Sequence, residues 1–236
     1  MSSLKVNKLT STAAAVLLLT QPVHAAFWDL SDPTNQFLSS PTSFIATDTV
    51  SVLTAYALFA TEISGGVLGG TIGEGLLFQA PGGLGICNSG VVDGDGKCVG
   101  DNTQIDNANQ FDFLVLELPD NQRPAHVTLT LVDGTDDWIV WGTDLGDPSI
   151  LDIPDDFNTD YDLLASGSGP GGTISVTINT LNTYKYLYFT GLLTADGDDD
   201  FKVKTVTVEP IPEPTSMVLL GLGMIGLGLA GARRRR

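Results

Sequence analysis

The run Met217–Ala232 holds no charged or polar side chain and stops at Arg233, Arg234, Arg235 and Arg236. That pattern fixes the main constraint on the chain: the run needs an apolar solvent, and whatever precedes it must fold separately in water. At about 1.5 Å rise per residue the run gives roughly 24 Å of helix, against a hydrocarbon core of about 30 Å. Thr215, Ser216 and the arginine stems cover the shortfall, with slight bilayer thinning. Gly221, Gly223, Gly226, Gly228 and Gly231 would each weaken a helix in water by about 1 kcal/mol. In lipid, unsatisfied backbone enforces the helix regardless. The sequence therefore predicts a transmembrane helix over 216–232 with the arginines on the cytoplasmic side. Gly226/Ala230 and Gly228/Ala232 have the small-residue spacing that allows a second helix to approach closely.

The other end has matching logic. Lys5 and Lys8 precede Ala13–Leu19, Pro22 breaks the apolar run, and Val23-His24-Ala25 supplies small residues at a cleavage point. Residues 1–25 read as a secretory signal peptide, cut after Ala25 with Ala26 as the alternative. Residues 26–209 form the exported domain and 210–236 the C-terminal signal.

Charge narrows the partners. Only Glu213 among the 28 acids lies outside residues 26–211, and only Lys97, Arg123, Lys185, Lys202 and Lys204 among the 11 bases lie inside. The exported part thus carries 27 acids against 5 bases, a net −22. Such a surface repels nucleic acid and anionic lipid, which both need counter-charges. It favours solubility and divalent cations, against the plainer reading of a solvated acidic surface.

Cys87 and Cys98 are the only cysteines, both in the exported part. An oxidising compartment favours one disulfide closing a small loop, against two unpaired thiols. In the chain-entropy model the bridge is worth about 3 kcal/mol. Zinc is disfavoured, with one exported histidine and no second cysteine pair. Calcium suits Asp93-Gly94-Asp95-Gly96, with Asp101, Asp106 and Asn107 nearby, because it takes hard oxygen ligands. Lys97 at the third alternate position shows that the loop is not an EF-hand. Asp196–Asp200 is a second acidic run, and solvated turns are the competing reading for both.

Between the ends, short runs rich in β-branched and aromatic residues alternate with Gly, Pro and Asp turns. His126–Val132 alternates, with Val127, Leu129 and Leu131 on one face and His126, Thr128 and Thr130 on the other. Asp112–Leu118 reads as a strand buried on both faces, and Trp138–Trp141, Thr173–Asn179, Tyr184–Thr190 and Phe201–Val208 as further strands. Phe44–Phe59 is one long strand or two. Residues 27–41 read as a polar lead-in, 64–75 as Gly-rich, and 81–110 as a long loop holding the cysteines. About eight or nine strands without a helical period predict an all-β chain with a single β-sandwich. A jelly-roll order is favoured over an immunoglobulin-like one. In Tyr184–Thr190, Tyr184, Tyr186 and Tyr188 share one face and Leu187 and Phe189 the other, so the aromatic face must meet a second sheet or a partner.

Chemistry is harder to find. His126 is the sole exported histidine, and no Gly-x-Ser-x-Gly elbow is present. Paired carboxylates for glycoside hydrolysis are always available among so many acids and discriminate nothing. Trp138, Trp141, Tyr184, Tyr186 and Tyr188 are the aromatics a carbohydrate platform would use, although strand aromatics more often fill cores. A non-enzymatic protein is expected, with no catalytic residues.

Pro212-Glu213-Pro214, the apolar run and Arg233–Arg236 together resemble the PEP-CTERM sorting signal of exported proteins in Gram-negative bacteria. An ordinary C-terminal anchor is the rival reading, and the Pro-Glu-Pro placement argues against it. Gly83–Ser89, Gln104–Asn107 and Phe111–Leu114 resemble, less specifically, segments of exported domains that carry this tail. The resemblance implies recognition of Pro212, Glu213 and Pro214 by an exosortase-type membrane transpeptidase, which would remove the helix and arginines. It also implies a transient membrane anchor and a final place at the cell surface or outside, associated with exopolysaccharide or biofilm. A carbohydrate-binding module or a glycoside hydrolase acting on that matrix is the alternative.

Overall fold

In the computed structural model, the described residues are 25–46, 51–64, 67–88, 92–93, 98, 103–106, 110–120, 122–131, 134–151, 156–169, 171–191 and 199–211. Residues 1–24 and 212–236, and with them nearly all of the expected signal peptide and the expected transmembrane helix, lie outside them. In chain order the strands are β1 (Ala26–Asp29), β2 (Gln36–Leu38), β3 (Thr42–Ile45), β4 (Val52–Ser64) and β5 (Val67–Glu74). There follow β6 (Leu76–Ala80), β7 (Gly83–Cys87), β8 (Phe111–Glu117), β9 (Gln122–Leu131) and β10 (Asp137–Thr143). A 3-10 turn, Pro148–Ile150, leads towards β11 (Asp162–Ser168), β12 (Gly172–Thr177), β13 (Tyr186–Thr190) and β14 (Phe201–Pro210).

These strands make two antiparallel sheets. The first runs β12-β9-β14-β7-β6-β2, with β1 also on β14; the second runs β11-β10-β13-β8-β4-β3, with β5 also on β4. The period-2 pattern decides which side chains meet between them. Val127, Leu129 and Leu131 of β9 and Val203, Val206 and Val208 of β14 pack with Leu114 and Leu116 of β8 and Leu187 and Phe189 of β13. The alternation read in β9 is therefore the one the sandwich uses: His126 is exposed and Thr128 and Thr130 are half-buried.

A second apolar cluster lies on the opposite face of the β8–β13 sheet, where Tyr56, Leu58, Phe113, Val115, Tyr186 and Tyr188 are buried. The chain's own segment 156–161 lies over it. Phe157 stacks on Phe113 at 5.6 Å and on Tyr161 at 4.3 Å, and Tyr161 stands edge-on to Tyr188 at 5.0 Å. Trp141 closes the group 5.5 Å from Phe157. Tyr184 departs from the shared aromatic face and joins the inter-sheet core.

Several segments differ from the sequence reading. The polar lead-in contains β1 and β2, and Phe44–Phe59 divides into β3 and β4. The Gly-rich stretch is β5, and Gly83–Cys87 is a fully buried strand instead of the start of a loop. Its glycines disguise it, and packing requires them. Gly83 has φ 123°, and a Cβ there would strike the Val203 carbonyl, while a Cβ on Gly85 would strike the Thr103 carbonyl. Gly85→Ala is expected to destabilise the domain by about 1–3 kcal/mol through overpacking. Gly82→Ala, where the nearest atom to a new Cβ is 3.6 Å away, should stay within about 0.5 kcal/mol. Urea unfolding of both variants checks the contrast.

Candidate functional site

The pairing registers bring many strand ends to one pole. In the first sheet Pro210 lies opposite Gln122, and Thr177 opposite His126. In the second, Gly142 faces Asp162, Thr143 faces Tyr186, Tyr186 faces Glu117, Glu117 faces Thr54, and Val52 faces Ile45. Segments 118–121 and 178–185 join the two sheets across this pole. Both ends of the exported domain also sit here, because Ala26 pairs with Val208, two residues before Pro210. Ala26 is fully buried in β1, as a strand-forming residue just after the first predicted cleavage point.

The pole carries shallow polar grooves. One of about 340 Å³ is lined by Arg123, His126, Thr177, Asn179, Thr180 and Glu209 among others. Arg123 donates to the Glu209 carboxylate at 2.8 Å and to the Thr180 carbonyl at 3.3 Å. The His126 ring Nδ1 lies 3.3 Å from the Thr177 hydroxyl. A second groove of about 420 Å³ is lined by Leu118, Asp120, Gln122, Asp144, Tyr184 and Lys185. A third, of about 380 Å³, joins Asp144, Asp162, Leu181, Tyr184 and Ile211. Sequence reading missed this grouping: Arg123 and Glu209 are 86 positions apart, and only the β9–β14 pairing brings them together.

The aromatics proposed for a carbohydrate platform are packed instead. Tyr186 and Tyr188 lie under the 156–161 segment, Trp141 touches Phe157 and Tyr161, and Trp138 and Tyr184 are core. The aspartates are also accounted for in part. Asp29, Asp32, Asp147 and Asp156 each accept a backbone N–H from two residues ahead, at 3.0, 2.7, 3.0 and 2.8 Å. This is Asx-turn chemistry, which shapes loops without any ligand. The Thr34 and Ser149 hydroxyls and N–H groups hold the Asp32 and Asp147 carboxyls below the usual range. Asp136 and Asp199, both buried, form a reciprocal clasp: Asp136 accepts from Asp200 N at 3.1 Å and Asp199 from Asp137 N at 2.9 Å. The acidic run 196–200 thus contributes Asp199 as a brace between β10 and β14.

Cys87 and Cys98 form the disulfide, with Cα atoms 5.7 Å apart. Of the calcium candidates, Asp93 is exposed in the disulfide loop, and Asp106 is buried just before β8, its carbonyl accepting from Asp112 N at 3.0 Å. Asp95, Asp101 and Asn107 lie outside the described residues, as do Pro212, Glu213, Pro214 and Arg233–Arg236. Among the described residues no group of three or more His, Cys, Asp or Glu is arranged to hold a metal, and no helix is long and apolar enough to cross a membrane.

The internal strand β14 ends at Pro210, and the chain runs from it directly into the C-terminal tail. Residues 210–236 match the PEP-CTERM protein-sorting motif, so the chain carries that sorting signal at its C-terminal end. The motif implies export, processing by an exosortase-type system and a final place at the cell surface or outside. No curated protein matches the chain.

Near the pole, the Tyr56 hydroxyl donates to the Glu117 carboxylate at 2.8 Å. Burial first, and then this carboxylate, raise the phenol above its ordinary value of 10.0. The folded state therefore holds the phenolic proton more tightly than the unfolded chain. Its contribution is intact below about pH 10 and is lost as the pH rises beyond that. Tyr56→Phe is expected to cost about 1 kcal/mol at neutral pH and to flatten the fall in melting temperature above pH 10. Thermal melts across pH 7 to 11 test both.

Proposed function

We propose that the protein is a non-enzymatic, exported β-sandwich, transiently anchored by helix 216–232. An exosortase-type transpeptidase then releases it or attaches it at the surface, where it serves as a matrix component associated with exopolysaccharide. The observation that carries this reading is the direct passage of β14 into the matched motif at residue 210. The use of Asp29, Asp32, Asp147, Asp156, Asp136 and Asp199 in turns and braces supports a structural role over a catalytic one. We infer a jelly-roll order from β7-β14-β9-β12 in one sheet and β8-β13-β10-β11 in the other. Lectin domains share that architecture, and together with the Arg123–His126 groove it keeps a carbohydrate-binding module as the second reading. Retained binding to purified exopolysaccharide favours the module, and turnover lost on changing a single Asp favours a hydrolase.

Glu213→Ala should leave a membrane-bound precursor of higher mass in the native host, detected by intact-mass measurement. Unchanged processing would remove the sorting function and leave a plain anchor. Calcium bound through Asp93, Asp95, Asp101, Asp106 and Asn107 belongs to the same proposal, since weak oxygen sites fill in millimolar calcium outside the cell. A chelator should then lower the melting temperature, and no shift at saturating chelator would dispose of the site.

A further inference from the structure

Five of the seven large apolar side chains exposed among the described residues lie at the pole where both ends of the domain meet. Ile45 and Val52 flank the β3–β4 connection, 72% and 47% exposed. Leu145 follows β10 and Leu163 opens β11, at 51% and 57%. Leu181, in the segment between β12 and β13, is 83% exposed. Exposed leucines scattered singly need no explanation. Five carried on the end from which the tail leaves do.

The tether identifies what they touch. Ile211 ends the described domain and the apolar helix begins at Ser216, a span of at most about 18 Å when fully extended. The ten-residue strands β9 and β14 are about 34 Å long, so the opposite pole cannot reach the bilayer while this one is held against it. The N-terminal end adds a second constraint, because Ala26 beside Val208 places the signal-peptide junction at the same pole. Charge selects the lipid: Asp120, Asp144, Asp162 and Glu209 line the grooves beside Arg123 and Lys185. That mixture disfavours an anionic surface and suits a zwitterionic one.

We propose that this pole is a membrane-contact surface, seated on the zwitterionic leaflet through Ile45, Val52, Leu145, Leu163 and Leu181 until the tail is cut. The inference rests on the reading that 216–232 spans the membrane. Loss of the tail would then remove the tether and lift the apolar tips off the bilayer.

The test uses the full chain in nanodiscs of phosphatidylcholine and phosphatidylethanolamine that carry a photoactivatable group near the headgroup. Lipid cross-links are mapped by mass spectrometry. Cross-links are expected within 216–232 and also on segments containing Leu145 and Leu181, with none at Val67, which is exposed outside this pole. The double variant Leu145→Asp/Leu181→Asp should lose the pole cross-links severalfold and keep those in the helix. Cross-links confined to the helix would overturn the contact while leaving the anchor intact. An absence of cross-links in 216–232 would overturn the anchor itself, and protein–protein cross-links at Leu181 would assign the surface to a second copy.

Discussion

The pairing of β14 with its neighbours sets the geometry on which the rest depends. β9 runs along one of its edges from Phe201 to Pro210, while β7, at Val203, and β1, over Thr205–Val208, share the other. Inward-facing Val203, Val206 and Val208 then close the inter-sheet core over the β8–β13 sheet. Because β14 is internal, its register fixes where the tail departs and which residues stand beside it. The groove of Arg123 and Glu209, the position of Ala26 and the pole itself all follow from that one strand.

A sandwich normally leaves its outer faces to water, with polar residues alternating outward. The β8–β13 sheet departs from that rule, since β4, β8 and β13 are apolar on both faces. The 156–161 segment resolves the conflict by laying Phe157 and Tyr161 over Phe113, Trp141 and Tyr188. The Thr143 hydroxyl donates to the Asp160 carbonyl at 2.8 Å and ties down the end of that segment. Asp156 turns the chain at its beginning by accepting from Asn158 N. The acidity of this region is thus partly the chemistry of a cover for an aromatic face.

What the sequence made legible follows from how each strand is buried. β9 shows clean alternation because one face meets the core and the other meets solvent, and β8 reads as continuous because both faces are covered. β7 was hidden because its glycines, which read as loop, answer to the Val203 and Thr103 carbonyls that press against it. β11, an edge strand of sequence DLLASGS, has little burial to impose a pattern. The tyrosines of β13 announced a buried aromatic face, but their cover lies 25 residues or more upstream in a turn-rich stretch with no strand signal. The sorting motif was legible because its chemistry is local: proline, apolar length and terminal charge need no tertiary partner. The pole was not, since it exists only once long-range registers are set.

The internal place of β14 has a consequence for when this domain becomes complete. A chain made and exported from its N-terminus delivers β9, β7 and β1 first, and they wait around an empty slot in the middle of their sheet. Unpaired strand edges of that kind are the surfaces that recruit the wrong partner. The slot is filled only when Pro210 emerges, and by then the apolar run is the next thing to leave the translocation channel. The sorting motif thus follows at once on the strand that completes the sheet, so the domain finishes only as its address appears.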